Sequence, residues 1–293
     1  MADSPLPLFH GTGVALVTPF SPSDFSVDYA ALRRLLDFVI EGGVEYIVIN
    51  GTTAESPTTS TEEKAEILRV AKEHVAGRVP LVFGIGGNDT AAVERTIRST
   101  DLEGVAAILS ASPYYNKPSQ RGIIAHYERL ADASPVPIIL YNVPGRTASN
   151  LTADTTIRLA QHSNIIGIKE ASGNLEQCMQ IASLKSDDFL LISGEDVLTT
   201  SMISFGAVGV ISVLANAFPR PFTDMTRAAL AGDFATATEK LFELLPLNPL
   251  MYEESNPVGV KAALEVQSVC SNAVRLPLVE ASESLQQRIR KLI

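Results

Sequence analysis

Cysteine is scarce in this chain of 293 residues. Its two cysteines, Cys178 and Cys270, lie far apart in the sequence and outside any Cys-x-x-Cys motif. A disulfide framework needs several paired cysteines, and a thiolate metal site needs closely spaced ones, so the sequence points to neither. We expect both thiols to be buried and reduced.

Positive charge is also scarce. The 23 Lys and Arg residues are outnumbered by 33 Asp and Glu residues, which gives a formal net charge of -10, and no run of basic residues interrupts this balance. Such a surface repels a phosphate backbone or an anionic membrane, so we expect neither nucleic acid nor a membrane as a partner. Cationic groups inside a cleft remain compatible with small anionic substrates.

The motifs of several common enzyme classes are missing. The sequence has no Gly-x-Gly-x-x-Gly dinucleotide fingerprint, no Gly-x-Ser-x-Gly elbow and no phosphate-binding Gly-Lys-Ser/Thr loop. Its four histidines are scattered, and the last three fall on predicted helices, so a metal-dependent aldolase site lacks ligands. These histidines are His10, His74, His126 and His162. We therefore expect no bound metal ion.

Targeting and membrane-spanning signals are missing as well. The N-terminal stretch MADSPLPLF has no basic start followed by a continuous apolar segment, so we expect a cytoplasmic protein without a secretory signal. Residues 197–219 carry no charge, but Ser, Thr and Asn side chains interrupt them. We expect that stretch to be part of a buried barrel and not a lipid-facing helix.

The sequence does contain eight short apolar runs with amphipathic segments between them. The runs cover residues 14–18, 46–50, 81–86, 105–110, 137–143, 165–169, 189–193 and 208–214. They are nearly continuous in Val, Ile, Leu and Ala, which is typical of parallel strands buried on both faces. An open doubly wound sheet shares this alternation but lacks its fingerprint here. We predict an α/β fold, a (β/α)8 TIM barrel over residues 1–232, with a C-terminal helical subdomain over residues 233–293.

Lys169 is the first candidate for chemistry, because the active site of such a barrel forms at the C-terminal ends of its strands. In the run IIGIKE, strand alternation places Ile165, Gly167 and Lys169 on one face and Glu170 on the other, so one of the two charges must point inward. An inward Lys169 would be shielded from water, which favours the neutral amine that attacks a ketone. Alternatively, Lys169 is a strand-end lysine paired with an acid.

Three further candidates for the site lie at or just after the ends of predicted strands. Tyr141, on the preceding strand, would lie beside Lys169 and pass protons during imine formation, or would merely fill space. The turn GTTAES at residues 51–56 offers hydroxyls and backbone donors to a small carboxylate, although such residues also form ordinary turns. Arg146 is suited to a second carboxylate, or to a surface ion pair.

Six stretches between residues 13 and 216 resemble the dihydrodipicolinate synthase and N-acetylneuraminate lyase family. They are GVALVTPF, NGTTAES, SPYYNKPSQ, ILYNVPGRT, NIIGIKEASGN and VGVISVLAN. The resemblance implies a barrel that condenses pyruvate with L-aspartate 4-semialdehyde through a covalent imine, without a cofactor, in diaminopimelate and lysine biosynthesis. It also implies a homotetramer arranged as a dimer of dimers.

The resemblance assigns catalytic roles residue by residue. Lys169 would form the imine with pyruvate, and Tyr141 would donate and accept protons. Thr52 and Tyr115 would complete a proton relay. In the family the residue at the position of Tyr115 reaches into the neighbouring subunit, which would make a dimer the smallest active unit.

Binding roles follow in the same way. Thr53 and the backbone at Ile211 would hold the pyruvate carboxylate, and Arg146 would bind the carboxylate of the aldehyde. One departure lies in the turn, where Ala54 replaces a common glycine. If that position needs a positive φ, alanine adds strain of roughly 1 kcal/mol, and we expect the turn to survive it.

A second departure concerns feedback inhibition. Lysine-inhibited members carry histidine or acidic residues where this chain has Thr61, Lys64 and Ala92. Other positions of that kind are retained, namely Ser56, Asn88 and Tyr114. We therefore expect weak or absent inhibition by lysine.

Two alternative functions stay open. A sister aldolase would cleave N-acetylneuraminate or a 2-keto-3-deoxy sugar acid through the same lysine, but Arg146 argues against it because sugar-cleaving members generally lack this cation. A non-catalytic barrel that binds a keto acid is the other alternative, and the presence of all the expected catalytic side chains argues against it.

Overall fold

Eight parallel strands form a closed barrel in the computed structural model, which describes residues 6–293. The strands follow one another in sequence order, and the last pairs with the first. They are β1 (Gly11–Ala15), β2 (Tyr46–Ile49), β3 (Leu81–Gly84), β4 (Ala107–Ala111), β5 (Ile138–Asn142), β6 (Ile165–Glu170), β7 (Leu190–Ser193) and β8 (Gly209–Ser212). The predicted (β/α)8 barrel is confirmed. Residues 1–5, on which the expectation about a secretory signal partly rests, lie outside the described part.

Helices surround the barrel and continue beyond it. They are α1 (Tyr29–Glu41), α2 (Thr61–Val75), α3 (Thr90–Ser99), α4 (Gln120–Ala133), α5 (Pro144–Thr147), α6 (Ala153–Leu159), α7 (Leu175–Leu184), α8 (Thr199–Ser204), α9 (Pro219–Leu230), α10 (Phe234–Leu244), α11 (Asn248–Tyr252), α12 (Val258–Val266) and α13 (Glu283–Leu292). Across residues 6–293, no helix is both long and apolar enough to span a membrane. The domain boundary between residues 232 and 233 stays a prediction.

Two sequence predictions about where strands and helices begin and end need correction. The first strand covers Gly11–Ala15, whereas the predicted run covers residues 14–18. The run extends past the strand because the apolar residues Leu16 and Val17 are buried in the loop that follows it. His162 does not lie on a helix, because α6 ends at Leu159 and the His162 ring accepts the Asn164 N–H in the turn before β6.

Side chains on each strand alternate between two apolar cores. On β2, Tyr46 and Val48 point into the barrel, whereas Ile47 and Ile49 point towards the helices. Both faces of the strand are therefore buried, which explains why the runs in the sequence are apolar throughout.

A register shift interrupts this alternation between β5 and β6. Ile138 pairs with Ile165, but Ile139 pairs with Gly167, so Ile166 is an extra residue in the ladder. As a result Ile165 packs towards the helices and Ile166 into the barrel. The prediction that Ile165 shares a face with Lys169 is therefore wrong.

The C-terminal helices are joined to the turn after β2 by a buried ion pair. Lys261 of α12 is fully buried, and its Nζ lies 2.6 Å from Glu55 Oε1 and 2.8 Å from the Ala273 carbonyl. Burial lowers the pKa of Lys261, and the Glu55 carboxylate opposes that shift. The other Glu55 oxygen accepts the Arg275 N–H at 2.9 Å. In this turn the positive φ of 55° falls on Glu55, and Ala54 does not share it, so alanine causes no strain there.

We expect the Lys261–Glu55 pair to matter for stability. Lys261→Met should lower the free energy of unfolding by about 3–5 kcal/mol, because it leaves a buried carboxylate without its cation. The double variant Lys261→Met/Glu55→Gln should recover much of this loss. Urea unfolding measures both, with Arg288→Met as the matched control, since the Arg288–Glu253 pair is exposed and worth about 0–1 kcal/mol. Equal losses for Lys261→Met and Arg288→Met would contradict this prediction.

Candidate active site

A cavity of about 70 Å³ lies at the C-terminal ends of the strands. It is lined by Lys169 of β6, Tyr141 of β5, Thr52 and Thr53 of the turn after β2, and Arg146 of α5. The structure thus brings five of the seven predicted site residues to one place. This is the end of the barrel at which such folds carry their active sites.

Lys169 and Tyr141 are direct neighbours across two strands. They are partners in the ladder between β5 and β6, and Lys169 Nζ lies 4.5 Å from the centroid of the Tyr141 ring. Both side chains are buried. Lys169 forms no ion pair within the part of the chain that the structure describes, so the alternative of a strand-end lysine paired with an acid does not hold.

The turn after β2 presents two threonines to the cavity. Thr53 Oγ1 accepts a hydrogen bond of 2.9 Å from Asn256 Nδ2, so its hydroxyl hydrogen stays available to donate to a ligand. The Thr18 hydroxyl donates to the Ala54 carbonyl at 2.8 Å and fixes the other side of the turn. A small carboxylate is the kind of ligand that such an oriented donor suits.

Two acidic residues follow β7, and sequence reasoning missed both. Glu195 lines the cavity, and burial together with the neighbouring Asp196 raises the pKa of its carboxyl, while Lys169 and Arg146 oppose the shift. Asp196 is buried and accepts the Leu214 N–H at 2.8 Å, and burial raises its pKa. The signal was present, because the sequence SGED places both acids within three residues of the strand end.

Two further lining residues come from the C-terminal helices. Tyr252 ends α11, and Asn256 follows it in the connection to α12. Both lie beyond the eighth strand, where the strand-end rule gives no signal. The sequence alone offered no means of finding them.

Two predicted residues lie outside the cavity lining. Tyr115 is 87% exposed and adopts a positive φ of 74°, while its neighbour Tyr114 lines an adjoining cavity of about 460 Å³. Ile211 is buried on β8 with its side chain in the barrel core. The role of Tyr115 in a neighbouring subunit stays a prediction. The role of the Ile211 backbone in binding the pyruvate carboxylate also stays a prediction.

Metal ligands are not grouped here. Within residues 6–293, no cluster of three or more His, Cys, Asp or Glu residues is placed to hold a metal ion. Cys178 and Cys270 are both buried and unpaired, as expected. The groups that line the cavity include a buried amine beside a phenol, two threonine hydroxyls and a guanidinium group.

Proteins of similar sequence and similar structure all point to one family. A model of the "Dihydrodipicolinate synthetase family" matches residues 8–293. A Cytophaga hutchinsonii protein named 4-hydroxy-tetrahydrodipicolinate synthase is 55% identical over 97% of this chain and 95% of its own length. The solved structure of dihydrodipicolinate synthase from Aquifex aeolicus superimposes with a TM-score of 0.93 at 38% identity, covering 97% of each chain. A monomeric variant of dihydrodipicolinate synthase gives a TM-score of 0.95 at 34% identity, over 99% of this chain and 97% of its own.

Proposed function

Since the chain belongs to the dihydrodipicolinate synthetase family, we propose that it condenses pyruvate with L-aspartate 4-semialdehyde to give 4-hydroxy-tetrahydrodipicolinate. The observation that carries this proposal is the position of Lys169. It is a buried lysine without an ion pair among the described residues, and it faces a tyrosine at the catalytic end of the barrel. A lysine so placed is suited to covalent chemistry with a ketone.

The first half of the reaction builds an enamine on Lys169. Its neutral amine attacks the pyruvate ketone carbon, and the resulting carbinolamine loses water to give an imine. Loss of a proton from the pyruvate methyl group then gives the enamine, with the imine nitrogen as the electron sink. We assign the movement of these protons to Tyr141, and its position supports this role, because its ring centroid lies 4.5 Å from Lys169 Nζ. No separate cofactor is required for these steps.

The second half joins the aldehyde and releases the enzyme. The enamine carbon attacks the aldehyde carbon, and the aldehyde oxygen takes up a proton. The amino group of the former aldehyde substrate then attacks the imine carbon and expels the Lys169 amine, which closes the ring. Arg146 supports the choice of this aldehyde, because a guanidinium group in the cavity lining suits its free carboxylate.

The pyruvate carboxylate is assigned to the turn after β2. Thr53 would donate its hydroxyl hydrogen, whose direction is limited by the bond that its oxygen accepts from Asn256. The backbone at Ile211 would supply a further contact. Thr52, which also lines the cavity, would pass protons between Tyr141 and Tyr115.

An oligomer completes this assignment. Tyr115 is exposed and lies outside the cavity of its own chain, which suits a residue that acts in a neighbouring subunit. We therefore propose a dimer as the smallest active unit and a tetramer as its assembly. We also propose that the enzyme works in the cytoplasm, in diaminopimelate and lysine biosynthesis.

Direct assay tests the proposed reaction. We expect turnover of pyruvate with L-aspartate 4-semialdehyde, followed as NADPH loss in a coupled reductase assay, and its abolition in Lys169→Ala. Borohydride reduction with pyruvate should attach mass to Lys169 in the unaltered protein alone. Turnover with a neutral sugar aldehyde and none with aspartate semialdehyde would assign the chain to the sister aldolases. Pyruvate binding without a trapped adduct would favour the non-catalytic barrel.

Arg146 should act on the second substrate alone. We expect Arg146→Ala to raise the KM for aspartate 4-semialdehyde by about 10-fold or more, because a charge-assisted hydrogen bond is worth about 1.5–3 kcal/mol. The KM for pyruvate should change little. Arg158→Ala, which breaks a surface ion pair with Glu128, is the matched control. An equal rise in both KM values would show that Arg146 does not distinguish the two substrates.

Lysine should inhibit weakly or not at all. A cleft of about 520 Å³ is lined by Ser56, Thr61, Lys64, Asn88 and Ala92, and the Lys64 ammonium would repel the cationic side chain of a lysine ligand. We expect millimolar L-lysine to leave the initial rate unchanged. The coupling reductase is checked separately with added product. A halved rate would contradict this prediction.

A further inference from the structure

Glu170, the neighbour of Lys169, is a buried carboxylate without a cation. It is 1% exposed and points towards the helix layer, where Gln177 Nε2 of α7 donates to it at 3.1 Å. It also accepts the Ser172 N–H at 2.8 Å and a bond of 2.9 Å from Asn142 Nδ2. Within residues 6–293 it forms no ion pair. Burying an unpaired charge is costly, so the position calls for an explanation beyond packing.

The bond between Asn142 and Glu170 joins the two strands that carry the candidate catalytic pair. Tyr141 is the ladder partner of Lys169, and Asn142 is the ladder partner of Glu170, one residue further along both strands. Successive side chains point to opposite faces of a strand. The first pair therefore meets inside the barrel, and the second pair meets outside it.

The ladder below these pairs is irregular. Ile138 pairs with Ile165 and Ile139 with Gly167, which leaves Ile166 unpaired. A slip of one residue moves every side chain of a strand to its other face. A specific side-chain contact between the two strands, on the C-terminal side of the bulge, would therefore stabilise one register over the other.

The groups around Asn142 allow it one orientation. Its Oδ1 accepts the Leu151 N–H at 3.0 Å, and its Nδ2 donates to Asn150 Oδ1 at 2.8 Å as well as to Glu170. Asn150 in turn donates to Gln177 at 2.8 Å. The amide that reaches Glu170 is thus held by the segment between α5 and α6 and by α7.

We propose that Glu170 is a positioning residue, whose hydrogen bond with Asn142 fixes the register of β5 against β6 and thereby holds the Lys169 amine beside the Tyr141 phenol. This inference rests on the proposed role of Lys169. Nothing in it requires Glu170 to touch substrate. Glu170 contributes by holding the Lys169 amine and the Tyr141 phenol in the relative positions that imine formation needs.

The rate of imine formation tests the inference directly. The unaltered protein and its variants are mixed with pyruvate alone, quenched with borohydride at increasing times, and the adduct on Lys169 is measured by mass spectrometry. We expect Glu170→Ala and Asn142→Ser to slow adduct formation by about 30-fold, because misplacement of a reacting group by about 1 Å costs up to about 100-fold. Glu170→Gln keeps an acceptor for Asn142 and should lose less than about fivefold.

Gln177→Leu is the matched control. It removes a hydrogen bond to the same carboxylate oxygen, together with the bonds between Gln177 and Asn150, but it leaves the direct bond between Asn142 and Glu170 in place. We expect it to lower the thermal midpoint of unfolding while adduct formation stays within about twofold of the unaltered rate. In the steady state, Glu170→Ala should lower kcat more than it raises the KM for pyruvate.

The outcomes separate this inference from the proposed function. Adduct formation at the same rate in all folded variants would overturn the positioning role and leave the proposed function intact. An equal slowing in Gln177→Leu would also overturn it, since a general loss of packing would then be responsible. If Glu170→Ala does not fold, the comparison of Asn142→Ser with Gln177→Leu decides. Absence of any adduct in the unaltered protein would overturn both proposals.

Discussion

Burial of both faces of each strand is the constraint on which the rest of the structure depends. Every position of β6 is buried, and this strand ends on Lys169 and Glu170. Both ionisable side chains are therefore buried, and the protein must accommodate both. The inward Lys169 amine lies against an aromatic ring, and the outward Glu170 carboxylate accepts hydrogen bonds from neutral donors. The same burial that stabilises the barrel thus places an amine where a ketone can meet it.

The C-terminal helices contribute to the same site from the other side. Lys261 binds Glu55 in the turn after β2, and Asn256 binds Thr53 in that turn. Arg275 donates its N–H to Glu55 and pairs with Glu63 at the start of α2. The helical extension therefore helps to hold the turn that carries the two threonines, and it contacts Thr53 directly. Its role goes beyond covering the barrel.

The sequence predicted the features that depend on local pattern. Eight nearly continuous apolar runs, together with the family resemblance, predicted the barrel, and the rule that polar residues at strand ends form the site indicated Lys169, Tyr141 and Arg146. The pairing of strands was less accessible. Ile165, Ile166 and Gly167 are all apolar or small, so their order fits either register, and the extra residue in the ladder was not predicted.

Glu195 and Asn256 show the two ways in which site residues were missed. Glu195 lies two residues after the end of β7, where the rule about polar residues at strand ends applies, so it could have been found from the sequence. Asn256 comes from a segment that meets Thr53 only through the fold, across 203 positions of the chain. Contacts of such long range leave no periodic or spacing signal, because neither partner is unusual in its own segment.

The hydrogen bond between Asn256 and Thr53 also bears on the order in which the protein is made. Synthesis proceeds from the N-terminus, and domains generally fold as units. All eight strands leave the ribosome before Asn256 does, so Thr53 has no donor until the C-terminal segment has been made. A chain cut short before Asn256 would contain the Lys169 amine but would lack the contact that orients the Thr53 hydroxyl.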